Sequence, residues 1–217
     1  MADPVAVSAL VRDLVSIFAD RLRALVTHGD TARTAGAPIA SLAIVDQLTT
    51  ADLHACAARV GSWHKSGVAT PLLMGGREFE QSLDAFPLEF GAILSDYTVV
   101  FGPDPLQGLA IDPADLRRAC EVQARSHLLH LREAFIETQG RPREVAALVQ
   151  RSAAPLSALL RHIARQSGAT PVDAVLARVA QLSPDTAVPT STALSLFAEY
   201  VAALEHLTSL IDRWDSA

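Results

Sequence analysis

Cysteine is scarce in this sequence. Cys56 and Cys120 are the only two, and they match no metal-ligand or redox spacing. That excludes a disulfide framework and a cysteine-rich metal centre, and it fits a reducing compartment. Lysine is scarcer still: Lys65 stands alone, and the remaining basic charge is arginine. Beside so much alanine, this reads as a coding bias. Excess positive charge is also missing. The net charge of -6 argues against a broad nucleic-acid-binding surface. No apolar run approaches the roughly 18 residues of a membrane span. The opening "MADPVAVSALVRDLV" carries Asp3 and Asp13 and no basic stretch ahead of its apolar part, unlike a secretory signal. The expectation is a soluble cytoplasmic protein without internal repeats.

The apolar pattern divides the chain into two halves. Leu10, Val11, Leu14, Val15 and Phe18 share one helical face within residues 5–20. "LRALVTHG" reads as a strand ended by Gly29, "TARTAGAP" as a loop, and "IASLAIVD" as a second, central strand ended by Asp46. "TTADLHACAARVGSWH" reads as one helix capped by Thr49 or Thr50, with Asp52 at its positive end. "TPLLMGG" is a third strand, "REFEQSLDAF" a short helix, "PLEFGAIL" a strand or the turn into one, and "YTVVFG" a strand of high β-propensity. After "GPDPLQGLAI" the period changes to that of helices. Asp112 and Pro113 open a helix carrying Leu116, Cys120, Ala124, Leu128, Leu131 and Phe135. A second helix starts near 143, with Pro155 expected to kink or restart it and Ser152 as a cap, and it stops at Gly168. Thr170, Pro171 and Asp173 open a third. Thr190 or Ser191 opens a last helix whose expected face is Leu194, Phe197, Val201, Leu204, Leu207 or Thr208, Ile211 and Trp214. The predicted class is α+β: a mixed-sheet α/β domain over 1–108 and a helical bundle over 109–217.

Three stretches carry a resemblance. They are "RLRALVTHGD", then "SLDAFPLEFGAIL" followed by "VVFGPDPLQGLAID", then "LRRACEVQARSHLLHLREAFIE". Together they resemble the nucleotidyltransferase superfamily, of polymerase-beta-like fold, in its small bacterial form with a helical domain behind. The resemblance implies transfer of a nucleotidyl group from a nucleoside triphosphate to a hydroxyl or similar acceptor. It also implies a Gly-Ser pair after the first strand. Two carboxylates at alternate positions of the next strand would hold Mg²⁺, with a third carboxylate beyond.

Measured against that pattern, Gly29 matches the glycine and Asp30 stands where serine belongs, adding negative charge beside the phosphates. Ser41 and Ala43 occupy the positions of the carboxylate pair. Gly29, Asp30 and Ser41 are therefore the candidate nucleotide-contacting residues. Asp46 is the only acid on that strand, and Glu89 or Asp84 falls in the region of the third carboxylate. In its apolar, strand-like setting Glu89 would need a partner such as an arginine. The expectation is a degenerate, non-catalytic scaffold that takes no cofactor and binds a ligand or a protein. Two alternatives stand beside it. One is an Mg²⁺- and NTP-dependent transferase with a rearranged site built from Asp30, Asp46 and Glu89 or Asp84. The other is an interaction module working through the helical half, as a homodimer or with another protein. Neither membrane nor nucleic acid is an expected partner. His127, His130 and Glu133 drift around their helix, which weakens them as one site, and "GSWHKSG" is a candidate contact patch. No lysine follows the glycine loop as a Walker motif requires, and Ser41 lacks a nucleophile-elbow context.

Overall fold

The structure, a computed structural model, describes residues 3–29, 36–167, 173–183 and 187–214. It divides into two compact units, one ending at Ile111 and the other beginning at Asp112.

The first unit opens with helix α1, Pro4–Phe18. Asp3 caps it by accepting from the Val5 N–H, and Pro4 supplies a first turn that needs no donor. A 3-10 turn leads into β1, Leu22–His28, and then β2, Ala40–Val45. Helices α2, Thr50–Ala57, and α3, Val60–Lys65, precede β3, Leu72–Gly75. Helices α4, Gly76–Glu80, and α5, Pro87–Ser95, precede β4, Tyr97–Phe101. The sheet order is β3-β2-β1-β4. β1 runs antiparallel to both β2 and β4, and β2 runs parallel to β3. The mixed sheet thus has β1 and β2 at its centre.

Both faces of the sheet are covered. Leu25, Ala43 and Val45 pack with Leu10, Leu14 and Phe18 of α1 and with Cys56 and Trp63. Val26, Leu42 and Ile44 pack on the other face with Met74, Phe79, Phe90 and Ile93. This is the period-two alternation of a strand buried on both sides. Leu22 and Leu25 are three apart yet share one face, because the β1–β2 register slips between Leu22 and Ala24. Arg23 is the extra residue of that bulge.

Two assignments change in this unit. "PLEFGAIL" is helical: Pro87 takes the first helical turn, and Pro87, Phe90 and Ile93 recur at helical spacing on its buried side. The single helix expected over 49–64 is two, α2 and α3. The break lets Asp13 of α1 accept from both the Arg59 guanidinium and the Trp63 indole N–H, each at 2.9 Å.

The second unit is a bundle of α6, Pro113–Glu137, α7, Pro142–Ser167, α8, Ala174–Ala180, and α9, Ala193–Asp212. Asp112 and Asp173 cap α6 and α8; Gly168, Thr170 and Pro171 lie outside the described residues. Pro155 does not restart α7, which runs through it. Val145, Val149 and Ala153 before it share a buried face with Leu156, Leu159 and Ile163 after it. The carbonyl that the proline leaves without a donor belongs to exposed Arg151. Ser152 caps nothing; its hydroxyl donates to the Val149 carbonyl at 2.7 Å. On α9 the buried face is Leu196, Phe197, Tyr200, Ala203, Leu204, Leu207, Thr208 and Ile211, whereas Leu194 is exposed. By length and composition the span Thr190–Asp212 could cross a membrane. In the fold it packs on α6, α7 and α8 as a core helix.

Gly102 closes β4 against the bulge. Its φ is +74°, and a Cβ there would fall 2.1 Å from the Arg23 carbonyl oxygen. Gly102→Ala is therefore expected to cost about 2 to 3 kcal/mol in urea unfolding. An unchanged midpoint would mean that β4 shifts freely off β1.

Candidate functional site

The chemistry that the sequence invites would sit where β1 ends and β2 begins. Gly29 follows β1 with φ +72°, and its N–H donates to the Asp96 carbonyl at 2.9 Å. Asp30 lies outside the described residues. Ser41 stands opposite Thr27 in the β1–β2 ladder. By strand alternation it shares a face with Ala43 and Val45, the face packed by α1. Ser41 is 2 % exposed and Ala43 0 %. The Ser41 hydroxyl oxygen is buried without a hydrogen-bond partner. The two positions that would carry metal-binding carboxylates are thus an orphaned hydroxyl and a methyl group inside the core. Mg²⁺ needs several oxygen ligands in near-octahedral array, and these residues do not fit it.

The remaining acids do not gather around that point. The ladder pairs Leu22 with Val45 at one end and His28 with Ala40 at the other. Gly29 and Asp46 therefore leave opposite ends of it, on the order of 20 Å of strand apart. Asp46 forms an ion pair with the bulged Arg23. Glu89 is exposed in the first turn of α5, where a carboxylate favours the helix N-terminus, and being exposed it needs no arginine partner. The burial expected for it is corrected accordingly. Asp84 is exposed in the turn before α5. That helix packs on the sheet face opposite to Ala43. Among the described residues, no three His, Cys, Asp or Glu side chains are placed to hold a metal ion.

The strongest electrostatic feature was missed in sequence. Arg21, in the turn between α1 and β1, holds both oxygens of buried Asp52 at 2.8 and 2.6 Å. Asp52 also accepts from the Thr49 N–H and hydroxyl, and Thr49 accepts from the Asp52 N–H, forming a capping box. The Arg21 hydrogen bonds hold the Asp52 carboxyl well below the usual carboxylate range. Only the Thr49-x-x-Asp52 spacing pointed to this in the sequence. Asp104 likewise proves structural, accepting from Tyr97 and from the Leu106 N–H, each at 2.9 Å.

In the bundle, His127 and His130 part company. The His127 Nε2 lies 2.6 Å from the hydroxyl of fully buried Tyr200, and His130 turns to Glu133 at 3.3 Å. Burial, then the nearby His130, lowers the His127 pKa. Burial pushes Tyr200 up to about 12, although the Ser152 hydroxyl acts to lower it. These groups tie α6, α7 and α9 together. Burial also pushes the Cys120 thiol up to about 11, which leaves it unreactive. Within "GSWHKSG", the His64 Nε2 meets the Thr70 hydroxyl at 3.1 Å. The described residues also line hollows of about 400 Å³. One lies beside β3, lined by Leu53, Cys56, Trp63 and Leu72. The other lies between α8 and α9, lined by Arg178, Val188, Leu196 and Glu199.

No protein-family model matches the chain, and no curated protein matches it. Among solved structures, it is similar to the spectinomycin adenyltransferase AAD(9) from Enterococcus faecialis, crystallised with ATP and spectinomycin. The two share 11% sequence identity and a TM-score of 0.52, over 98% of this chain and 100% of that one. The likeness shows the fold: a mixed-sheet α/β unit followed by a helical bundle.

Two outcomes follow from this geometry. Ser41→Ala removes a buried hydroxyl that has no partner, so stability should be unchanged or raised by up to about 1 kcal/mol. A loss larger than that in urea unfolding would show a partner for the hydroxyl. Asp52→Asn should cost about 1 to 2 kcal/mol near neutral pH, kept modest because the Arg21 side chain is 39% exposed. The folded Asp52 carboxyl stays charged to lower pH than an unfolded one, whose pKa is about 3.9. Its stabilisation is complete above that value and is lost as pH falls toward the folded one. The midpoint difference between the two proteins should therefore be wide at neutral pH and narrow at about pH 3. An equal difference at both would assign the effect to shape alone.

Proposed function

We propose that this chain is a nucleotidyltransferase-like scaffold that has lost metal-dependent nucleotidyl transfer and serves as a binding protein in a reducing compartment such as the cytoplasm. One observation carries the reading: Ser41 and Ala43 fill the carboxylate positions and lie in the core. A metal-anchored triphosphate needs converging oxygens at that point. Here the strand offers a hydroxyl without a partner, and the one acid that follows it is held by Arg23 at the far end of the ladder. Among the described candidates, Asp46 leaves the far end of the ladder and Glu89 belongs to a helix on the opposite face of the sheet, which speaks against a rearranged site. The two buried cysteines are free, which fits reducing conditions. That AAD(9) was crystallised with ATP and spectinomycin makes those two the first ligands to try.

Calorimetric titration of the purified protein with ATP and GTP, with and without Mg²⁺, tests this. The expected result is that Mg²⁺ makes no difference to nucleotide binding, and that no pyrophosphate is released from ATP in the presence of spectinomycin. Magnesium-dependent heat with either nucleotide, or release of pyrophosphate, would overturn the proposal. Substituting Asp46 and Glu89 by their amides would then locate the metal.

A further inference from the structure

The hollow beside β3 takes no part in the chemistry considered so far. It holds about 400 Å³, within the range of small-molecule sites. The buried Trp63 ring and the Cys56 thiol line it, and Leu53 and Leu72 flank it at 47% and 46% exposure.

The polar side chains around it are already engaged. The Trp63 indole N–H donates to Asp13 at 2.9 Å, and the Thr70 hydroxyl meets the His64 Nε2 at 3.1 Å. Burial, then the nearby Asp52 charge, raises the Cys56 pKa, so the thiol stays protonated. Among the described residues, no charged side chain lines the hollow. A charged ligand would lose its hydration there without a counter-charge. The hollow therefore refuses a triphosphate and selects an uncharged molecule.

One polar pair is left, and it belongs to the backbone. Among the described strands, β3 is an edge that pairs with β2 on one side alone. Successive residues of a strand turn their N–H and C=O to opposite edges. The Gly75 N–H donates to the Glu78 carboxylate at 3.2 Å, away from β2. Leu73, two residues earlier, turns the same way. Its N–H and C=O point out of the sheet edge, and among the described residues no turn or loop backbone bond reaches them. Leu73 also lines the hollow. A donor and an acceptor thus stand side by side at the wall of an apolar space.

We propose that this hollow binds an uncharged ring molecule carrying a cyclic amide. The rings fill the apolar space against Trp63 and Leu53, where burial supplies the attraction. The ligand N–H donates to the Leu73 carbonyl, and the ligand carbonyl accepts from the Leu73 N–H. A cis amide has its donor and acceptor on one edge, so it meets Leu73 as a residue of a neighbouring strand would. A ring without the amide would cover both backbone groups and leave them unpaired. The site gives the binding role proposed above a place of its own on β3. It stands whether or not a nucleotide binds near β1 and β2.

Titration of the isotope-labelled full chain with carbostyril, a two-ring cyclic amide, followed by NMR without nucleotide or metal, tests this. Saturable shifts of the Leu73 amide and the Trp63 indole N–H are expected. N-methylcarbostyril cannot donate and should bind about tenfold more weakly, the worth of one hydrogen bond. Leu53→Glu, at an exposed position of α2, should weaken carbostyril binding by about tenfold or more while the thermal transition stays cooperative. Absence of saturable shifts at about millimolar carbostyril, or shifts that spare Leu73 and Trp63, would overturn the proposal. Equal binding of the two carbostyrils would overturn the part given to Leu73. Nucleotide binding is read in a separate titration, so either reading can fail alone.

Discussion

The burial of β2 on both faces is the constraint on which the α/β unit depends. Ser41 through Val45 are all buried, with Ala43 and Val45 under α1 and Leu42 and Ile44 under α4 and α5. A strand enclosed in this way contributes most of its stability through apolar area removed from water. It has no place for an unpaired carboxylate, whose desolvation would cost several kcal/mol. Ser41 and Ala43 thus complete the core of the α/β unit.

Around that strand, fixed charges hold the layers in register. Asp13 ties α1 to α3, Arg21 ties the end of α1 to α2 through Asp52, and Arg23 leaves the ladder as a bulge to reach Asp46. Asp13, Asp46 and Asp52 each accept from an arginine, whereas Asp84 and Glu89 stand exposed. The bulge also brings the Arg23 carbonyl close to β4, which is why that strand must end in a glycine. The bundle uses a different device, a His127–Tyr200 hydrogen bond between α6 and α9, with Ser152 of α7 bonded to the Val149 carbonyl. There the apolar surroundings strengthen the polar bonds and lower the histidine pKa.

Helix α6 completes the bundle core through Cys120, Ala124, Leu128 and Leu131, and its outer arginines are tied to α9, Arg125 to Asp212 and Arg132 to Glu205. Exposed ion pairs of this kind contribute little to stability.

The sequence alone determined the two-part plan, the strands β1 to β4, the caps at Thr49 and Asp112, and the absence of acids at positions 41 and 43. All of these rest on local chemistry: period, turn residues, capping side chains and the identity of single residues on a strand. It misread "PLEFGAIL", where strand-like composition concealed a proline-started helix, and α7, where packing on one face carries the helix through Pro155. On α9 it found Phe197, Leu204, Leu207, Thr208 and Ile211 but included exposed Leu194 and omitted Tyr200, because period fixes a face only to within one residue on either side. What only the tertiary structure decided was the company each acid keeps. Asp46 and Gly29 lie seventeen positions apart in sequence yet at opposite ends of one ladder, and Arg21 reaches Asp52 across thirty-one residues. Pairings of that kind depend on sheet register and on layers meeting face to face, and no local pattern records them.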